Sequence, residues 1–135
     1  MSGQHNIIKQ WIEKAENDLR NAEHTFTLRE NCPYDTICFH AQQCVEKYIK
    51  ALLIHLAIDF PKIHDIGELI RLVPPNYDIP ISKVDQEKLT DYSIASRYPL
   101  DLEPVTDVEA HETVLLARKV RDAVRRFLPE ETLPK

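Results

Sequence analysis

The chain has almost no glycine, since its 135 residues include only Gly3 and Gly67. Tight hairpin turns and glycine-rich phosphate loops need backbone conformations that other residues rarely adopt. No segment has the spacing GxGxxG or GxxxxGKS/T that nucleotide-binding loops of those kinds use. The sequence therefore argues against a hairpin-rich fold and against a P-loop or dinucleotide-binding protein.

Long apolar runs are also missing. The longest are a few residues, such as the four apolar residues at 51–54, whereas a membrane-spanning helix needs about 20. The first six residues lack the basic segment followed by an apolar core that is typical of a signal peptide. We therefore expect a cytoplasmic protein without a membrane partner.

Cysteine is sparse and odd in number. Cys32, Cys38 and Cys44 cannot all pair within one chain, and they form no CxxC motif, which favours reduced thiols. His40 and Cys44 are four residues apart, but no further Cys or His completes a typical zinc spacing. The sequence predicts neither a metal site nor a cofactor.

Positive charge is in deficit, because 17 Lys and Arg face 22 Asp and Glu, a formal net charge of −5. Such a balance argues against the generic electrostatic grip of a basic nucleic-acid-binding domain. A local basic cleft remains compatible with it.

What the chain does contain is helical periodicity. The pattern predicts five helices, over about 7–28, 35–58, 65–73 and 83–96 and from Thr106 to a stop before Pro129. The second is apolar over much of its circumference, which is typical of a central helix. We predict an all-α fold, an up-and-down antiparallel helical bundle of four to five helices that forms one domain over residues 1–135.

Polar residues at the helix starts provide candidate caps. Asp35 is expected to cap the second helix, Ser82 the fourth, and Asp65 the third with capping-box spacing. Thr106 opens a full capping box for the fifth helix. Pro99 is expected to stop the fourth helix, because the residue before a proline is pushed out of helical geometry.

One polar constellation lies on the second helix. Gln43, Glu46, Lys47 and Lys50 stand at positions i, i+3, i+4 and i+7 and so share one face. One interpretation is a solvated polar stripe with Glu46 and Lys50 as an i,i+4 ion pair. The other is a polar cleft that offers two ammonium groups to a phosphate.

Two further places carry candidate binding residues. Asp65 is either only a cap, with His64 exposed or packed beside it, or part of an anion site in which His64 contacts a base or phosphate. Arg97 and Tyr98 either end the fourth helix and pack on the bundle, or supply a guanidinium fork for phosphate and a ring for base stacking.

Four segments, in order, resemble HEPN domains. They are similar to the family patterns W…A..DL..A at 11–22, FHAQQ..EK..KALL at 38–53, HDL..LL at 64–70 and ARYP at 96–99. The resemblance extends from Trp11 to Phe127. It implies a helical bundle, often a homodimer, that is often encoded beside a minimal nucleotidyltransferase and acts as its toxin or nucleotide-binding companion.

The leading hypothesis is a non-catalytic HEPN homodimer that works with a nucleotidyltransferase, in some cases as a toxin–antitoxin pair. It would bind a nucleotide or RNA through a set of seven residues: Gln43, Lys47, Lys50, His64, Asp65, Arg97 and Tyr98. The catalytic branch of the family, metal-independent ribonucleases, carries a histidine four to six residues after an arginine. Here the next histidine after Arg97 is His111, so no catalytic residue is assigned.

Two alternatives stay open. One is a ribonuclease toxin in which folding brings His64 or His111 close to Arg97. The other is a structural adaptor whose polar stripe, with Gln43 and Glu46, is buried at a two-fold interface.

Overall fold

The structure, a computed structural model, describes residues 2–95 and 104–135. They form α1 (Ser2–Thr25), α2 (Tyr34–His55), α3 (Ile66–Leu72), α4 (Lys83–Ala95) and α5 (Asp107–Arg125), then a 3₁₀ turn at Glu130–Thr132. No strand occurs in these two ranges, and the predicted all-α bundle is confirmed. Among the described helices, none is long and apolar enough to cross a membrane.

Helices α1 and α2 form an antiparallel pair joined by a short connection. At one end, the Gln4 side chain donates to the Ile54 carbonyl at 2.9 Å, and at the other, the Cys32 thiol contacts the Thr25 carbonyl at 3.4 Å. The apolar stripe of α1 is buried in this interface, at Ile8, Ile12, Ala15, Leu19 and Ala22.

Helix α2 is the centre of the bundle, as its broad apolar surface predicts. It packs against α1, α3, α4 and α5. Helix α5 lies parallel to it, since Cys38 contacts Thr113 at 3.7 Å and Tyr48 accepts from Arg125 Nε at 3.1 Å. Thirteen α2 residues are buried as a result: Ile37, Cys38, Ala41, Gln42, Cys44, Val45, Glu46, Tyr48, Ile49, Lys50, Ala51, Leu52 and Leu53.

Three of the four predicted caps are confirmed. The Asp65 and Thr106 side chains accept the backbone N–H three residues on, at 3.0 and 3.1 Å, and Ser82 does the same at 3.1 Å. Asp35 as a cap is wrong, because α2 begins one residue earlier, with Pro33 in the cap position. The Asp35 carboxylate instead accepts from the N–H of Thr36, at 2.9 Å.

The two long helices begin or end at residues other than those predicted from the sequence. Helix α1 begins at Ser2 rather than near residue 7 and ends at Thr25. Helix α2 ends at His55 because Ala57 takes a left-handed conformation, with φ of 58°. The N–H groups of Ala57 and Ile58 then cap carbonyls of the last turn, a termination that usually uses glycine. Pro99, predicted to end α4, lies outside the described residues.

The three thiols differ in accessibility, and this predicts their reactivity. Burial raises the pKa of Cys38 to about 11 and also raises the pKa of Cys44, whereas Cys32 is half-buried. Since the thiolate is the nucleophile, iodoacetamide at neutral pH should modify Cys32 alone in the native protein and all three thiols in urea. Mass spectrometry counts the adducts, and Cys32→Ser should show none before unfolding. Native labelling of Cys38 would contradict its burial.

Candidate functional site

Three polar side chains of α2 are buried in the bundle as a connected network. Gln42 is 0%, Glu46 2% and Lys50 5% exposed. The Glu46 carboxylate accepts from Lys50 Nζ at 3.0 Å and from Gln42 Nε2 at 3.0 Å. Because burying an unpaired charge is costly, these bonds fix the carboxylate in place.

The same carboxylate holds the ring of His64. Its Nδ1 lies 2.9 and 3.1 Å from the two carboxylate oxygens of Glu46, while half of the side chain is exposed. Within residues 2–95 and 104–135, every hydrogen bond of this ring uses Nδ1. With the proton on Nδ1, the ring presents the Nε2 lone pair as an acceptor. The next residue, Asp65, uses its carboxylate to cap α3.

Lys50 faces the protein rather than solvent. Its ammonium lies 5.6 Å from the ring centre of Trp11 on α1 and 5.7 Å from that of Phe60, after α2. Two aromatic faces and one carboxylate compensate its charge. Here Lys50 positions Glu46, and its ammonium is almost inaccessible.

A second histidine–carboxylate pair lies on the α1 side of the same helix. Asp18, only 8% exposed, contacts His40 Nδ1 at 2.8 Å and accepts from the Lys47 ammonium. Since His40 and Lys47 are seven residues apart on α2, one carboxylate of α1 spans two turns. Lys47 is thereby held on the bundle with a fifth of its side chain exposed.

Gln43 joins the network around Glu46. Its Nε2 donates to Gln42 Oε1 at 2.7 Å, and Gln42 in turn donates to Glu46. We define the polar face of α2 as the half-buried surface that carries Gln43, Lys47 and His64 above the buried Gln42, Glu46 and Lys50.

The structure thus brings together most of the residues singled out in the sequence. Gln43, Lys47, Lys50 and His64 share the polar face of α2, and Asp65 adjoins it. The prediction of a fully solvated stripe is wrong for Glu46 and Lys50, because His64, Trp11 and Phe60 cover their side chains. Their ion pair itself is confirmed. Arg97 and Tyr98 lie outside the described residues.

His111, the other candidate histidine, has different neighbours. Its ring stacks on Phe26 with centroids 4.1 Å apart, and its Nδ1 lies 2.8 Å from the Asp107 carboxylate. These contacts place His111 at the junction of α1 and α5. They involve none of the residues of the polar face.

Sequence reasoning missed Gln42 and Asp18, and it weighed His40 only as a metal ligand. Gln42, Glu46 and Lys50 stand at i, i+4 and i+8, so three polar residues continue one row along a largely apolar helix. That interruption of the apolar pattern was a readable signal for buried polar groups. No sequence signal pairs Asp18 with His40, since only the packing of α1 on α2 joins them.

A further buried network ties α1, α2 and α5 together. The Tyr48 hydroxyl, fully buried, donates to Glu16 and accepts from Arg125. Burial and the Glu16 carboxylate raise the pKa of Tyr48. Arg121 and Arg125 lie 3.6 and 3.3 Å from Glu16. The basic end of α5 is thereby anchored to α1.

The described residues contain no group of three or more His, Cys, Asp and Glu side chains arranged to hold a metal ion.

The fold and site define an all-α bundle with a polar, histidine-bearing face on its central helix. Residues 8–127 match the family model described as HEPN domain. The chain belongs to the HEPN domain family.

Individual relatives agree with this assignment. One relative is "Putative toxin MJ1304" of Methanocaldococcus jannaschii, to which the chain is 30% identical over 141 aligned positions. The alignment covers 91% of this chain and 89% of the relative. It is similar to the crystal structure of TT1696 from Thermus thermophilus, with a TM-score of 0.76 and 30% identity over 90% of this chain and 98% of that one.

A second solved structure, that of ST0689, an archaeal HEPN homologue, has a TM-score of 0.66. It is 26% identical to the chain and covers 88% of it, with 95% of its own length aligned. Both alignments extend over nearly the whole bundle.

Proposed function

We propose that this chain is a non-catalytic HEPN module that binds a nucleotide or an RNA on the polar face of α2. It acts as a homodimer beside a minimal nucleotidyltransferase in the cytoplasm, as one half of a toxin–antitoxin pair. The name of the Methanocaldococcus jannaschii relative supports the toxin–antitoxin part. The family resemblance supports the nucleotidyltransferase as partner.

The observation that carries the binding proposal is the pairing of His64 with Glu46. A buried carboxylate is costly for a fold, yet here it is held by Lys50 and Gln42 and aims one imidazole at solvent. The proposed role of His64 Nε2 is a hydrogen bond to a phosphate or base.

The proposal adds further binding groups to that imidazole. Gln43 and Lys47 would supply an amide and an ammonium group, and Asp65 sits at the start of α3 beside His64. Arg97 and Tyr98 complete the proposed set, as a fork for phosphate and a ring for stacking. Lys50 acts within this site by holding Glu46.

Thermal unfolding against nucleotides and short RNAs tests the proposal. A ligand at 100 times its Kd should raise the free energy of unfolding by about 2.7 kcal/mol. We expect His64→Ala and Arg97→Ala to abolish this ligand-induced increase, because each removes a group that contacts the ligand. His111→Ala is the matched control and should keep the full increase.

Each variant is compared with its own unliganded form, so a loss of stability is not mistaken for a loss of binding. An unchanged increase in His64→Ala would reject the polar face of α2 as the site. No increase with any nucleotide or RNA would reject ligand binding and favour the adaptor alternative. Burial of Glu46 does not support that alternative, since a single chain already buries it.

A metal-independent ribonuclease toxin is the second candidate, and the geometry of His64 favours it. With Nδ1 bonded to Glu46, Nε2 would accept the proton of a 2′-hydroxyl as its oxygen attacks the phosphorus and the bond to the 5′-oxygen breaks. Water would protonate that leaving oxygen, and Arg97 would stabilise the phosphate. RNA cleavage in the presence of a chelator, lost in His64→Ala and Arg97→Ala, would establish it. Loss in His111→Ala alone would move the general base to α5, and absence of cleavage by the wild type would reject it.

A further inference from the structure

An exposed stripe runs along α5 on the side away from the core. Val108 and Leu115 are 66% and 52% exposed, and seven residues separate them. Glu112 and Lys119 are exposed between and beyond them. The steps from Val108 to Lys119 are four, three and four residues, which is the spacing of a coiled-coil seam. We call these four residues the α5 seam.

Charge is divided unequally along this helix. The first half is acidic and the second half basic, the charged residues being Asp107, Glu109 and Glu112, then Arg118, Lys119, Arg121, Arg125 and Arg126, with Asp122 the one acid among them. Arg118, Arg121 and Arg125 are paired with carboxylates of α1. In contrast, the described residues contain no ion pair to Glu112 or Lys119.

The seam also borders a cleft. Helices α4 and α5 both pack on α2 and leave between them a space of about 290 Å³. Leu89 and Tyr92 of α4 and Leu115 and Leu116 of α5 line it. Lys88 of α4 adds a second exposed ammonium at its rim. The surface is therefore apolar at its centre and carries both signs of charge at its edges.

We propose that the occupant of this surface is a second copy of the chain, with the two α5 helices packed antiparallel about Leu115. A two-fold axis places Leu115 against Leu115 of the partner subunit and Glu112 against Lys119 of the partner subunit. A parallel pairing would set like charges opposite each other, which is unfavourable. This names the dimer face and rests on the homodimer of the proposed function.

The dimensions suit such a pairing. Helix α5 has 19 residues and is therefore about 28 Å long. The rim of α4 lies beside the seam and would add to the contact, and a specific interface needs about 1,000 Å². The polar face of α2 is carried by other residues, so the dimer contact and the ligand site are separable by mutation.

Light scattering of the full chain during size-exclusion chromatography tests the face. The wild type should elute at about twice 15.7 kDa, and Leu115→Glu should elute as a monomer with an unchanged circular dichroism spectrum. Ile7→Glu, at a residue of α1 that is 47% exposed and distant from the α4–α5 cleft, should remain a dimer. A monomeric wild type, or a Leu115→Glu variant that stays dimeric, would overturn the proposal.

Charge reversal provides a second, independent readout. Glu112→Lys and Lys119→Glu should each weaken the dimer about tenfold or more, and the two together should restore it, because the pairing is between unlike residues of two copies. A double variant no tighter than either single one would overturn the antiparallel register. Ligand-induced stabilisation of Leu115→Glu tells the two proposals apart. A variant that stays dimeric and is still stabilised by ligand rejects the α5 face and leaves the α2 site standing.

Discussion

Replacing Glu46 by alanine is expected to lower the free energy of unfolding by about 3–5 kcal/mol, the cost of removing one partner of a buried ion pair. Lys50 would keep its position between two aromatic rings but lose the carboxylate that neutralises it. Gln42 would lose its acceptor as well. Urea unfolding followed by circular dichroism, at one fixed protein concentration, measures the change.

Glu68→Ala is the matched control for this prediction. Glu68 pairs with Arg71 at the surface of α3, where both side chains are more than half exposed, so the expected loss is about 1 kcal/mol or less. A second variant, Glu46→Leu with Lys50→Met, removes both buried charges and should recover much of the stability. A loss below about 1 kcal/mol in Glu46→Ala would show that Lys50 finds water or another partner.

The fold was predictable because its main determinants are local. Each long helix shows apolar residues at three- and four-residue spacing, and α2 shows them around most of its circumference. Caps are equally local, since Ser82 and Thr106 reach a backbone N–H only three residues on. The end of α2 was not predictable, because Ala57 adopts a left-handed conformation that its side chain does not favour.

The candidate site was predictable only in part. The shared face of Gln43, Lys47 and Lys50 follows from helical spacing. Whether that face meets water depends on what other segments place over it. Trp11 comes from α1 and Phe60 from the connection after α2, and no spacing within α2 encodes their approach to Lys50.

Asp18 illustrates the same limit. On α1 it is one of several acidic residues, and only packing against α2 gives it His40 and Lys47 as partners. His64 was identifiable as a residue at a helix start, but its orientation comes from Glu46, eighteen residues earlier. Long-range pairs of this kind turn a polar pattern into a site with defined chemistry.

Replacing Leu53 by alanine is expected to lower the free energy of unfolding by about 2–5 kcal/mol, the range for a buried leucine that leaves a cavity. Leu53 is fully buried on the central helix, where neighbours from several helices have to move to fill the space. Leu28→Ala is the matched control, because that leucine is 53% exposed after the end of α1. The free energy of unfolding of Leu28→Ala should fall by no more than about 0.5 kcal/mol, as for ordinary surface substitutions.

A comparison of Leu53→Ala with Glu46→Ala separates the packing of the bundle from the polar network of α2. Leu53→Ala should lower stability while leaving the ligand-induced increase intact, since its apolar, fully buried side chain takes no part in the hydrogen bonds of the polar face of α2. Glu46→Ala should lower both, because His64 loses the carboxylate that orients it. If Leu53→Ala and Glu46→Ala reduce ligand binding equally, the effect of Glu46 is general destabilisation. If only Glu46→Ala does so, the buried carboxylate orients the imidazole for its ligand.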